Sequence, residues 1–196
     1  MATEEGQGIG CFSDEAMTQN LDTPTIETER FVMRKLVRED ATALFPTLSD
    51  PKQCEYMLSA AFETVEALGD WLCDPDWTGR SWSAIDKVNG ELAARIVAVP
   101  GEHQTAELGY VTAVHRQGEK IAFECAKALI AHLFEVEDHH RVIAGTDPRN
   151  FPSNRILEKL GFRREAHYLQ SVKTHEGWCD EYYWGLLASE WRGQSA

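Results

Sequence analysis

Residues 150–162 run Asn150-Phe151-Pro152-Ser153-Asn154-Arg155-Ile156-Leu157-Glu158-Lys159-Leu160-Gly161-Phe162. They spell a short helix, 152–160, with both ends marked. Asn150 or Ser153 suits the N-cap, and Pro152 fits the first turn, where its missing N–H costs nothing. Gly161 supplies the left-handed stop. One cap is enough for a helix, yet Asn150, Ser153 and Asn154 crowd a single entrance. The surplus amides and hydroxyl could pair with an amide-bearing ligand.

Working outward, residues 141–146 form a short apolar strand before this helix, and 162–172 and 178–187 form two strands after it, turning at Gly177. Upstream, Ile121, Cys125, Leu129 and Leu133 recur every four residues, flanked by Ala122, Ala126 and Ile130, which predicts a buried helix over 118–134. Before it, 81–88 and 92–99 flank Asn89-Gly90, a strong hairpin signal, and 106–114 is a third strand. Further back lie a strand at 29–36, a helix carrying Ala41, Leu44, Phe45 and Leu48 that ends at Asp50-Pro51, and a helix opened by Thr64. The order predicts an α+β (mixed α/β) fold: a mostly antiparallel sheet, one parallel strand pair late in the chain, and four helices.

The 196 residues suit one domain, expected over 26–196. Residues 1–25 hold five acids (Glu4, Glu5, Asp14, Glu15, Asp22), no Lys or Arg, and no apolar period, and are expected to be a flexible acidic tail. No apolar run is long enough for a membrane span, and no basic start precedes an apolar region near Met1. Five scattered cysteines without a C-x-x-C argue against a disulfide framework or zinc knuckle and for a reducing compartment, hence the cytoplasm. His139 and His140 point to opposite strand faces and have no third ligand at useful spacing, so no metal site is expected. The net charge of −13 disfavours nonspecific nucleic-acid binding; it would draw cationic substrates in, or serve solubility alone.

The junction between the strand at 106–114 and the next helix is a candidate anion cradle. A helix start presents free N–H groups and the positive end of a dipole, and Gly118 lets an anion approach the backbone. Junctions of this kind are common and seldom bind anything.

Four stretches carry a resemblance. They are Thr28-Glu29-Arg30-Phe31-Val32-Met33-Arg34-Lys35-Leu36 with the following Glu39-Asp40-Ala41; Glu107-Leu108-Gly109-Tyr110; residues 150–165; and residues 177–191, which read GWCDEYYWGLLASEW. In this order they resemble the GNAT-superfamily N-acetyltransferases of the RimJ/RimL-like branch. The resemblance implies a sheet splayed between the strands ending at Val114 and Asp147, with the pantetheine arm of acetyl-CoA in the gap, paired to backbone of Thr112, Ala113 and Val114. It puts the diphosphate on Gln117, Gly118, Glu119, Lys120, Ile121 and Ala122, and pantetheine on Asn150. Ser153 matches the position that protonates the departing thiolate. The family loop carries glycine where Lys120 stands; its Cβ would crowd a phosphate and its ammonium would attract one, while Glu119 adds an adverse charge. The family's frequent tyrosine acid is replaced by Leu157.

The implied reaction is attack of a primary amine on the thioester in a ternary complex. Glu107 is the expected base, with His115 and Glu165 as rivals. Trp77 or Trp82 could line the acceptor pocket. The amine acceptor is the expected partner, with no nucleic acid and no membrane, and the protein a monomer or homodimer. Two alternatives stand beside this: a non-catalytic CoA-binding or regulatory protein with a degenerate diphosphate loop, and transfer of a longer acyl chain.

Overall fold

The computed structural model describes residues 22–194. The expected tail falls largely outside these residues. An eight-stranded sheet, ordered β1-β2-β3-β4-β5-β6-β8-β7, forms the middle of three layers. Its strands are β1 (Ile26–Glu27), β2 (Phe31–Lys35), β3 (Arg80–Asp86), β4 (Leu92–Pro100), β5 (Thr105–Thr112), β6 (Arg141–Thr146), β7 (Arg163–Thr174) and β8 (Gly177–Leu187). The helices are α1 (Ala41–Leu48), α2 (Pro51–Cys54), α3 (Val65–Leu72), α4 (Ile121–Glu135), α5 (Phe151–Lys159) and α6 (Ala188–Gln194).

The expected α+β fold is present, with all ladders antiparallel except β5–β6. Two short helices add to the four expected. Pro51 ends α1 but starts α2, because Asp50 caps it through Lys52 N at 2.9 Å. α6 follows β8 directly, and Trp191 docks on Phe134.

Alternation along the strands gives each sheet face its own core. Phe31, Met33, Trp82, Ile96 and Leu108 pack with Leu129 and Leu133 of α4 and Leu157 of α5. On the opposite face a smaller cluster joins Leu44 and Leu48 of α1 to Leu68 and Leu72 of α3. Trp82 is fully buried and donates from Nε1 to Pro24 O at 2.7 Å, so it does not line an acceptor pocket. Trp77 stacks over the Arg95 guanidinium instead.

β5 and β6 share a ladder over only Thr105–Arg141, Ala106–Val142 and Glu107–Ile143. Beyond it β4 still holds the outer edge of β5, and β8 the outer edge of β6. The inner edges separate, and the backbone of residues 108–112 faces that of 144–146 across a gap.

Candidate acyl-transfer cleft

The gap widens into a cleft of ≈ 850 Å³. Its walls are β5, β6, the first turns of α4 and α5, and the α1–α2 corner with Thr47, Lys52, Gln53 and Tyr56.

Thr112, Gln117, Gly118, Lys120, Ile121, Ala122, Asn150 and Ser153 all line it. Ala113, Val114 and Glu119 do not. The Ala113 N–H bonds to Ala93 O at 2.9 Å, and the Val114 N–H to Thr47 Oγ1 at 2.9 Å, so neither is free for a ligand. The anion cradle differs from the expected helix start at Gly118. A 3-10 turn, Val114–Arg116, comes first, Gly118 takes φ 85°, and Lys120 takes φ 62°, so α4 begins only at Ile121. Lys120 is therefore the N-cap of α4, in a left-handed conformation that favours glycine.

Glu119 turns away from the cleft because Arg116 holds it. The Arg116 Nη2 donates to Glu119 Oε2 at 2.9 Å and to Asp86 Oδ2 at 2.8 Å on the β3–β4 hairpin. Arg30 Nη2 donates to Glu119 O at 3.0 Å, and Arg30 Nε reaches Glu124 of α4 at 2.6 Å. The Arg116 hydrogen bond holds the Glu119 carboxyl below its ordinary pKa.

At the second helix entrance the polar residues divide their work. Asn150 Oδ1 caps α5 by accepting from Ser153 N at 3.2 Å. Asn154 is buried and ties the turn together, accepting from Thr146 Oγ1 at 2.6 Å and donating to Pro148 O at 3.2 Å. Trp184 Nε1 completes the tie by donating to Thr146 Oγ1 at 2.8 Å. Ser153 lies 2.9 Å from the hydroxyl of Tyr110 on β5. Leu157 does stand in the core, but a tyrosine hydroxyl reaches the serine from the opposite wall.

Glu107 lies at the last rung of the β5–β6 ladder; its side chain is solvent-exposed, yet the protein packed around its carboxyl raises its pKa by desolvation. Glu181 of β8, not singled out in the sequence, folds over Gly145, where any side chain would collide with its carboxylate. Burial raises its pKa, and the charge of Glu107 raises it further. Neither carboxylate has a hydrogen bond or ion pair among the described residues. Of the rival bases, Glu165 is paired with both Arg141 and Arg163. Neither His115 nor Glu107 is among the residues lining the cleft; Glu107 lies one residue before its wall begins at Leu108. No group of three metal-binding side chains occurs among the described residues.

The acetyltransferase (GNAT) domain model matches residues 30–163. The chain belongs to the GNAT acetyltransferase family. GNAT acetyltransferases are acyltransferases, and N-acetyltransferase activity follows at that level. The chain is 30% identical over 168 residues to the uncharacterized N-acetyltransferase YnaD of Bacillus subtilis, across 85% of this chain and 98% of that protein. A GNAT acetyltransferase structure from Bacillus anthracis superposes with a TM-score of 0.78 at 28% identity, covering 85% of this chain and 99% of that one. Spermidine N-acetyltransferase from Vibrio cholerae, in complex with CoA and spermine, shares the fold with a TM-score of 0.73 at 17% identity, over 83% and 98% of the two chains. No helix of the described residues is long and apolar enough to cross a membrane.

Proposed function

We propose that the protein is a cytoplasmic, acetyl-CoA-dependent N-acetyltransferase of the RimJ/RimL-like branch, transferring acetyl to a primary amine by direct attack in a ternary complex. The observation that carries acyl-CoA use is the charge of the cleft. In a chain of net charge −13, its charged lining residues are Lys52, Lys120, Arg155, Lys159 and Asp147. Asp147 is bound to Arg149 at 2.7 Å. None of the four cations has a carboxylate partner among the described residues, whereas most arginines elsewhere do. Unspent cations around a gap with free strand edges suit a chain of amides ending in phosphates.

The free edges of residues 108–112 and 144–146 would take the pantetheine amides, and Gln117, Gly118, Lys120 and the start of α4 the diphosphate. The Nδ2 of Asn150, unused in capping, is a further donor. Glu107, with Glu181 beside it, would draw an ammonium to the apex of the splay and accept its proton, since an amine must be neutral to attack. An N–H on the free edge of β5 would stabilise the oxyanion. Ser153 would protonate the departing thiolate.

Titration calorimetry with CoA, then thiol release from acetyl-CoA over amino acids, peptides, polyamines and aminoglycosides, tests this. Micromolar CoA binding with release dependent on one amine class is expected. No binding at millimolar CoA sinks the reading. Binding without turnover of any amine favours the non-catalytic alternative, and a longer thioester outcompeting acetyl-CoA would change the acyl group.

Lys120 gives a separate expectation with two opposed signs. Lys120→Gly removes about 1 kcal/mol of left-handed strain and raises Tm in thermal melts. It also deletes a phosphate partner, so CoA affinity falls about three- to tenfold by calorimetry.

A further inference from the structure

Resting on the proposed reaction, the geometry points to Tyr110 as the residue that positions and polarises Ser153 for proton donation to the leaving thiolate. The two residues belong to opposite walls of the cleft. Tyr110 sits on β5 and Ser153 in the first turn of α5, and both line the cavity. The Tyr110 Oη is 2.9 Å from Ser153 Oγ and 3.2 Å from Ser153 O. Neither hydroxyl has another side-chain partner among the described residues. Both ends of the pair are anchored: the Tyr110 ring packs against the core beneath β5, and the Ser153 N–H donates to Asn150 Oδ1.

A lone serine is a poor acid, because the alkoxide it leaves is costly. The single Tyr110 proton can go to Ser153 O or to the nearer Ser153 Oγ; when it goes to Oγ, the serine's proton is not spent on the protein and can turn to the sulfur. As the C–S bond breaks, its electron pair goes to sulfur and the serine's proton follows. The tyrosine hydrogen bond holds the negative charge that builds on Oγ, and the serine then regains a proton from the one released by the amine, through water. Burial pushes the Tyr110 hydroxyl up to about 12, which keeps it protonated, and so a donor, through the neutral range.

The test compares Tyr110→Phe, Ser153→Ala and the double variant, reading kcat and the KM for acetyl-CoA at saturating amine. Each single variant is expected to lower kcat about tenfold with KM within about threefold, and the double variant to match Ser153→Ala. Losses that multiply overturn the proposal, as does a Tyr110→Phe change confined to KM, which would mark a brace between the walls. If Tyr110→Phe fails to fold, site-specific 3-fluorotyrosine at position 110 keeps the shape and makes the phenol more acidic. At neutral pH kcat should then change while the KM for acetyl-CoA stays within about threefold; an unchanged kcat overturns the proposal. A wild-type protein that turns over no amine would remove the underlying reaction, a result distinct from active variants that behave independently.

Discussion

Glu107→Gln lowers kcat/KM for the amine by about 10²- to 10⁴-fold at neutral pH, while CoA affinity stays near that of the wild type. Glutamine keeps the size of the side chain and removes its basicity, so the loss falls on proton acceptance and not on cleft shape. Desolvation raises the Glu107 pKa, and a base works only when ionised. The wild-type rate should therefore fall with acid earlier than for an ordinary carboxylate. Glu181 sharpens the expectation. The charge of Glu107 raises the Glu181 pKa, and whenever Glu181 is ionised the same repulsion works against an ionised Glu107. Glu181→Gln should shift the acidic limb to lower pH. Steady-state rates across pH for the three proteins decide the matter: full activity in Glu107→Gln would remove it as the base, and an unmoved limb in Glu181→Gln would break the coupling.

Arg116→Gln should weaken CoA binding about 10- to 30-fold at low salt, and added salt should narrow that gap by screening the repulsion. Arg116 is well shielded, at 14% side-chain exposure, and joins Asp86 to Glu119. Without it the Glu119 carboxylate is free to swing toward the diphosphate path, where like charges a few ångströms apart repel by roughly 1–2 kcal/mol. Glu119→Gln in the same protein should restore affinity to within about threefold of the wild type. Calorimetry at two ionic strengths measures all three. A double variant as weak as Arg116→Gln would mean that loop order matters, not the charge of Glu119.

Much of the frame was legible because it is written locally. The pair Asn89-Gly90 demands a tight turn, and the Gly90 N–H indeed bonds back to Asp86 O at 2.9 Å. Asn150, Pro152 and Gly161 mark the ends of α5 in the residues themselves. What was not legible depends on partners distant in sequence. In the sequence Glu119 reads as an obstacle to a phosphate; in the fold Arg116, anchored by Asp86 on a hairpin some thirty residues away, draws it aside. Tyr110 reaches Ser153 across 43 positions. Glu181 becomes visible only when β8 pairs with β6 and lays its carboxylate over Gly145. The left-handed Lys120 is hidden for a different reason: helical periodicity shows where a buried face lies but not the dihedral angles of the residue before it.

The three-residue ladder between β5 and β6 makes the sheet two leaves on a short spine, five strands on one side and three on the other. A ligand that bonds both free edges does what a missing stretch of strand would do. Under the proposed function the acyl donor would be a structural member as well as a reactant. Bound there, it would brace the two leaves across the same gap that the Tyr110–Ser153 hydrogen bond already spans at 2.9 Å.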